Sequence, residues 1–372
     1  MKNNIHIIAF YLPQFRPVKE NNEWFGEGFT EWTNVAKAKP LFRGHVQPKV
    51  PRDLGFYDLR LHEVREQQAK LANEAGVSAF CYYHYWFGNN KKILHETLEE
   101  VVAIKKPDFP FCICWANHSW YKKSWNPDTQ SIDQNLLIEQ QYPGMDDIKA
   151  HFKYLLPMFR DERYYKIDGR LVFAIYDFAG FKDFDVFKKV WNDMAKLHGL
   201  PEFYFLGYSA SIHEVKTPMF DNTDGVILSL VSGITTHKSS SRLVLLKGMI
   251  LSKISSWLNY PLQLFLYEKA MPYMLDEVER VDNVIPVIVP NWDYTPRRGA
   301  GGLILHKSTP KLFKQHVLQA LDLIKDKPKE KQILFLKSWN EWGEGNYMEP
   351  DLQFGKGYIT ALRDAIREYL QK

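Results

Sequence analysis

Eight short runs of apolar, β-branched and aromatic residues recur along the chain, at 5–11, 77–83, 109–115, 171–176, 203–208, 225–230, 284–289 and 333–337. Most are separated by segments in which apolar residues return every three or four positions, at 61–75, 93–104, 146–159, 184–198 and 310–324, with another at 357–370 after the last run. The first pattern predicts strands and the second amphipathic helices. Several strand segments are apolar at nearly every position, as in a parallel sheet covered on both faces. Eight such strands alternating with helices predict an α/β protein, a single (β/α)8 TIM barrel spanning residues 1–372, rather than an open doubly wound sheet. No Gly-x-Gly-x-x-Gly follows any of the eight runs, which argues against a dinucleotide fold.

Two connections are long. Residues 12–59, after the first strand, are rich in Pro, Gly and Trp and read as an elaborated loop over the site; residues 231–283, after the sixth strand, carry a helical insert. Within the insert, 243–267 is amphipathic, with Arg242, Lys247 and Lys253 in or beside it. A stripe of this kind packs on the barrel, its commoner fate, or makes weak peripheral contact with an anionic membrane.

Composition removes several function classes. The net charge is +4 and Lys and Arg are dispersed, so the basic footprint of a nucleic-acid binder is missing. Lys247, Lys253 and Pro286 interrupt the longest apolar stretches, and no membrane span is expected. The N-terminal residues run directly into the first strand without the apolar core of a secretory leader, so a cytoplasmic location is expected. Cys81, Cys112 and Cys114 are too few for a disulfide framework and wrongly spaced for zinc, and read as buried thiols. Neither His84 nor His118 has a partner at metal-ligand spacing, and no metal or cofactor is expected.

In a (β/α)8 barrel the residues just beyond the carboxyl ends of the strands build the site. Those positions hold Tyr11, His84, Trp86, Trp115, Asn117, His118, Trp120, Tyr176, Asp177, Tyr208, Asn291, Trp292, Asp293, Asn340, Glu341, Trp342 and Glu344. Aromatic residues make up 15% of the chain, and nine of its 11 tryptophans (Trp24, Trp32, Trp86, Trp115, Trp120, Trp125, Trp292, Trp339 and Trp342) fall at strand ends or in the loops leaving them. Flat aromatic faces beside Asn, Asp, Glu and His suit a ligand that is apolar on one face and hydroxyl-rich at its edges, namely a sugar. His84 and His118 read equally as substrate contacts or as neutral hydrogen-bonded imidazoles.

The sharpest element is Ser338-Trp339-Asn340-Glu341-Trp342-Gly343-Glu344-Gly345, directly after the eighth strand. Glu341 and Glu344 can project into one pocket if the chain turns there, and Gly343 and Gly345 ease that turn. Two carboxyls in an aromatic, partly dry pocket have their ionisations pushed apart, one acid and one base, as cleavage of a glycosidic bond requires. The other reading of the spacing is a solvated or helix-capping pair. Glu349 is a third candidate.

The run from Trp339 to Gly345, followed by Met348-Glu349-Pro350, resembles the signature of glycoside hydrolase family 99, the endo-α-mannosidases. Ala9-Phe10-Tyr11-Leu12-Pro13-Gln14-Phe15, Gly28-Phe29-Thr30-Glu31-Trp32-Thr33-Asn34-Val35, Asp53-Leu54-Gly55-Phe56-Tyr57-Asp58, Phe80-Cys81-Tyr82-Tyr83-His84-Tyr85-Trp86 and Cys114-Trp115-Ala116-Asn117 resemble the WbsX-like branch, often associated with lipopolysaccharide and capsule synthesis and labelled glycosyltransferases. The resemblance implies a metal-free (β/α)8 enzyme that retains anomeric configuration. It makes Glu341 the base on the sugar's own 2-hydroxyl, giving a 1,2-anhydro intermediate, and Glu344 the acid/base on the leaving oxygen. His118 stands where such relatives usually carry an acidic residue, which implies altered recognition of sugar hydroxyls. The expected activity is that of a retaining glycosidase or transglycosidase on a bacterial surface polysaccharide, with the glycan or its lipid-linked oligosaccharide precursor as partner. Two other readings stay open. One is a sugar-nucleotide glycosyltransferase, whose literal Asp-x-Asp would be Asp183-Phe184-Asp185 at a predicted helix start, where Asp commonly caps. The other is a non-catalytic glycan-binding barrel.

Overall fold

All eight predicted strands form, and they pair in sequence order into a closed parallel barrel: β1 (His6–Tyr11), β2 (Ala79–Trp86), β3 (Phe111–Trp115), β4 (Arg170–Ile175), β5 (Phe203–Ser209), β6 (Gly225–Leu228), β7 (Val284–Ile288) and β8 (Ile333–Leu336). This computed structural model describes residues 5–126, 131–235, 261 and 263–371. Closure comes from β1, which pairs with β8 through His6↔Ile333 and with β2 through Ile8↔Ala79. Strands β3, β6, β7 and β8 are buried at every position, with the barrel interior on one face and helices on the other. The covering helices are α1 (His62–Ala75), α2 (Glu96–Ala103), α3 (Met145–Phe159), α4 (Phe184–Leu197), α5 (Pro310–Ile324) and α6 (Gly357–Leu370). Each lies within a residue or a turn of the periodic segment that predicts it. Helix α5 shows why: Thr309 Oγ1 accepts the Leu312 N–H at 3.3 Å and Pro310 opens the first turn.

Three excursions decorate the barrel. The loop after β1 contains two short helices, Lys19–Phe25 and Glu31–Lys37, the second packed against the segments Thr295–Arg298 and Trp342–Glu344 that follow β7 and β8. An antiparallel hairpin, Trp120–Asn126 with Ser131–Ile138, follows β3 and was not foreseen in the sequence. The insert after β6 departs from expectation at its end. Residues 243–260 and 262 of the predicted amphipathic helix, with Arg242, lie outside the described residues, and with them the proposed membrane contact. Leu264–Leu266, however, is a strand paired in parallel with Ile304–His306, and a short helix, Tyr267–Ala270, follows. A backbone ladder there overrides the apolar periodicity. Among the described residues no helix is long and apolar enough to cross a membrane. The three cysteines are free and buried, Cys81 and Cys112 as neighbours across β2 and β3.

Beneath the loop after β8, Glu349 accepts hydrogen bonds from Gln68 Nε2 at 2.6 Å, Trp342 Nε1 at 2.7 Å and the Tyr57 hydroxyl at 2.9 Å. It ties α1, the first loop and the glutamate loop together as a buttress. Burial pushes its carboxyl up to about 7, against the pull of those donors. The unfolded chain releases this proton near 4.5, so between pH 4.5 and 7 the fold holds a proton that the unfolded chain does not. Stability contributed by the buried acid is therefore present at low pH and lost as pH rises through that window, by on the order of 3 kcal/mol. Glu349→Gln mimics the protonated acid and should reduce the fall in urea-unfolding free energy between pH 5 and 8 by that amount. An unaltered slope in the variant would contradict this assignment.

Candidate active site

The carboxyl ends of the strands open into a cleft with two lobes. One, of ≈ 550 Å³, lies over β4 to β7; the other, of ≈ 1090 Å³, extends under the first loop and the hairpin. They share His118, Tyr176, Tyr294, Lys337 and Glu344, and Glu341 faces the larger one. Rings pave the floor: Phe10 stacks on Tyr83 at 5.2 Å and leans on Phe335 at 5.1 Å, and Tyr176 stacks on Tyr208 at 4.5 Å.

Arg297 organises the charges. Its Nη1 binds Glu344 Oε1 at 2.7 Å, its Nη2 binds Glu341 Oε1 at 3.0 Å and its Nε binds Glu31 Oε2 at 3.0 Å. The two glutamates three residues apart thus share one pocket, bridged by the two terminal nitrogens of one guanidinium. Burial pushes the Glu341 carboxyl well above the usual range; Arg297 pulls it down, Glu344 and Glu31 push it further up, and Lys337 opposes them. Burial also opposes the Lys337 ammonium, but Tyr176, Tyr208 and Glu344 outweigh it and keep it charged. Lys337 Nζ donates to the Tyr208 hydroxyl at 3.0 Å.

The backbone makes room for this arrangement. A Cβ on Gly343 would stand 2.5 Å from Glu31 Oε2 and 2.8 Å from Arg297 Nε. Gly345 has φ +64° and a Cβ there would meet Asp293 at 2.8 Å. Asp293 in turn fixes the Arg297 turn: its Oδ1 accepts from the Thr295 hydroxyl at 2.6 Å, and its Oδ2 lies 2.7 Å from Gln47 Nε2 and 2.8 Å from His45 Nε2. Among the described residues no group of three or more His, Cys, Asp and Glu side chains is placed to hold a metal ion.

Residues 7–362 match the family described as Glycosyltransferase WbsX. The chain belongs to this family. It is 30% identical over 361 residues to a protein of Xanthomonas campestris pv. campestris strain B100 called uncharacterized protein WxcX, covering 97% of this chain and 49% of that one. The chain therefore spans about half the length of the curated relatives it matches. Among solved structures, the GH99 endo-α-mannosidase of Bacteroides thetaiotaomicron in complex with bis-tris propane superposes with a TM-score of 0.57 at 15% identity, covering 98% of this chain and 97% of that one. A glycoside hydrolase-like protein superposes at 0.58 with 14% identity, covering 97% and 94%. At such identities the likeness establishes the shared (β/α)8 fold.

Of the residues the WbsX-family sequence nominates, His118, Trp120, Tyr176, Asp177, Tyr208, Trp292, Glu341 and Glu344 line the cleft. Tyr11, His84, Trp86, Trp115, Asn117, Asn291, Asp293, Asn340 and Trp342 do not. Alternation along the strands explains Tyr11, His84, Trp86 and Trp115: successive side chains point to opposite faces. On β2, Tyr83 and Tyr85 face the cleft while His84 and Trp86 face α3, His84 Nε2 lying 2.9 Å from His151 Nε2 and Trp86 Nε1 donating to Asp147 at 3.0 Å. Burial pushes His84 down to about 3, so it stays neutral. Tyr11 likewise turns outward to donate to Gln68 of α1 at 2.7 Å, and Trp115 packs on Phe181 and Phe187. Asn117 and Asn340 lock loops instead, through paired bonds to the Asp177 and Leu12 backbones. Asn291 faces a separate cavity of ≈ 110 Å³ on the far side of Asp293. Trp342 lies under the glutamates, stacked on Tyr347 at 3.7 Å.

The expected tryptophan wall is corrected in the same way. Trp24, Trp120 and Trp292 line the cleft; Trp32, Trp86, Trp115, Trp339 and Trp342 are buried behind it. The side chain of Trp125 lies outside the described residues. Tyrosines supply much of the aromatic lining. Sequence reasoning missed Glu31, Lys337, Tyr294 and Arg297. Lys337, the residue after β8 on the inward-facing alternation, was findable; Arg297 and Glu31 come from separate loops with no spacing to connect them. Asp183 and Asp185 lie outside the cleft lining.

Removing one partner of a partly buried ion network leaves the others uncompensated. Arg297→Gln should destabilise the fold by about 2–3 kcal/mol, and Gly343→Ala, which thrusts a methyl between Glu31 and Arg297, by about 1–3 kcal/mol. Urea unfolding checks both, and unchanged midpoints would show that the network does not hold the loops.

Proposed function

We propose that this chain is a retaining glycoside hydrolase or transglycosidase acting on a bacterial surface polysaccharide or its lipid-linked precursor in the cytoplasm, with residues 1–372 as its catalytic unit. The observation that carries this reading is the Glu341–Glu344 pair, bridged by Arg297 and set on an aromatic floor where the two lobes of the cleft meet. A cleft continuing to either side of the pair supports binding of a chain across it, hence attack on an internal linkage. The fold shared with endo-α-mannosidases and the family's link to glycosyl transfer both support a glycan substrate.

In the proposed reaction Glu341 takes the proton of the sugar's 2-hydroxyl as O2 attacks C1. The glycosidic C1–O bond breaks and Glu344 protonates the departing oxygen. Glu344 then removes a proton from water or from an acceptor hydroxyl, whose oxygen opens the anhydro ring at C1, and Glu341 returns its proton to O2. Water yields hydrolysis and a sugar hydroxyl yields transfer. Arg297 stabilises whichever glutamate is ionised at each stage. Because burial raises the Glu341 carboxyl, which favours its acid form, an exchange of the two roles is the second arrangement to test.

Glu341→Gln and Glu344→Gln should each lower turnover of the natural glycan by about 10²–10⁴-fold. A panel of 2,4-dinitrophenyl glycosides separates the roles, since this leaving group needs no protonation. On such a substrate the acid variant keeps a burst of dinitrophenol release from the first step, its second step slowed by loss of the base, and the base variant shows no burst. Retention of the burst by Glu341→Gln instead of Glu344→Gln reverses the assignment, and full activity of both variants on every substrate would refute the proposal. The family's description favours one rival, transfer from a sugar nucleotide. Saturable calorimetric binding of a nucleotide sugar, lost on filling the cleft with glycan, would support that rival.

A further inference from the structure

Lys337 places a buried ammonium where the two lobes join. Its residue is 6% exposed, and it lines both lobes beside Glu344. Among the described residues its side chain has no ion-pair partner, and its hydrogen bond is to the Tyr208 hydroxyl at 3.0 Å. Ring faces surround the rest of it: Tyr208 at 5.1 Å, Trp292 at 5.4 Å and Tyr176 at 5.7 Å. Cation–π contact softens the burial of an ammonium but satisfies none of its remaining N–H donors. Buried charges are normally paired.

Three carboxylates also line this lobe, none within ion-pair distance of Lys337. Glu344 Oε1 binds Arg297 at 2.7 Å, Asp177 Oδ1 accepts the Gly180 N–H at 3.0 Å and Glu214 Oε2 accepts the Ser209 hydroxyl at 2.6 Å. A second group in the same lobe is also unsatisfied: His118 Nδ1 is buried without a partner, its ring 5.6 Å from that of Tyr176. A neutral sugar hydroxyl arriving here would occupy a donor and leave the ammonium without a contact ion-pair partner. An oxyanion would answer both, with His118 in its Nδ1–H tautomer.

We propose that the smaller lobe recognises an anionic group on the glycan, the carboxylate of an acidic sugar or a phosphate ester, through Lys337 with His118 as a second donor. The inference rests on the cleft being a glycan site and names the class of glycan it takes.

The test reads binding, so it does not depend on turnover. Full-length Glu341→Gln protein is applied to arrayed bacterial oligosaccharides in three forms: as isolated, after carboxyl reduction, and after removal of phosphate with hydrofluoric acid. Acidic glycans are expected to lose at least 10-fold in binding when neutralised, and the treatment that causes the loss identifies the anion. Adding Lys337→Met should bring the ratio of native to neutralised signal close to one, whereas Lys337→Arg should keep most of the preference. Thermal midpoints verify that each variant is folded. Glycans bound equally before and after neutralisation, or a ratio that Lys337→Met leaves unchanged, would overturn the inference while leaving the glycan site standing. Failure to bind any glycan would overturn both.

Discussion

Three carboxyls cannot share a partly dry cleft unless a cation stands among them, because each negative charge raises the cost of the next. Arg297 is that cation. Its three nitrogens reach Glu31 from the loop after β1 and Glu341 and Glu344 from the loop after β8, while Arg297 itself comes from the loop after β7. One guanidinium therefore sets the relative positions of three loops that the barrel only brings into the same neighbourhood. Its planar fork matters: two terminal nitrogens address two different carboxylates at once, which the single ammonium of a lysine would not reproduce. Gly343 lacks a side chain because this pair occupies the space one would need.

Around this centre the structure is layered. Half of the Phe, Tyr and Trp rings that line the cleft are tyrosines, with hydroxyls to offer a polar ligand; behind them lie tryptophans whose indole N–H groups are used to fix backbone and buried carboxylates. Trp32 donates to the Tyr57 carbonyl at 2.7 Å, Trp115 to the Trp86 carbonyl at 2.9 Å and Trp342 to Glu349 at 2.7 Å. Large rigid side chains in that position hold the lining residues in fixed rotamers, the support that a preorganised charge array requires. The high aromatic content thus divides into a functional layer and a supporting one, and the supporting layer takes most of the tryptophan.

The barrel was legible because its signal is local: a run of apolar residues or a 3.6-residue period is visible within a short window. The glutamate pair was legible for the same reason, both members lying in one eight-residue stretch. Strand ends were less transparent. Choosing His84 and Trp86 over Tyr83 and Tyr85 ignores the two-residue alternation, and once that alternation is applied from Phe10 of β1, Tyr83 and Lys337 fall on the inner face together. Arg297 and Glu31 were not legible at all. They stand 266 positions apart, and no periodicity links residues that meet only because two loops cross the barrel mouth. The end of the insert illustrates the opposite failure, an apolar segment whose backbone found a strand partner instead of continuing as a helix.

The two lobes differ in a way that bears on the choice between hydrolysis and transfer. The larger is rimmed by Trp24, Phe25, Phe29 and Trp120, rings suited to covering sugar faces along an extended chain, and Phe25 is 42% exposed at its edge. The smaller is closed by Leu303, Phe178 and Val231, and the Lys337 ammonium stands where it joins the larger. In the proposed chemistry the same glutamates serve water and an acceptor hydroxyl alike, so their identities cannot decide the outcome. What decides it is whether the lobe vacated by the leaving group refills with solvent or with sugar before the anhydro ring opens. A lobe whose aromatic walls and fixed charge favour a particular acidic glycan raises the local concentration of that acceptor over water, and partitioning then follows from the affinity of the vacated lobe rather than from any change at Glu341 or Glu344.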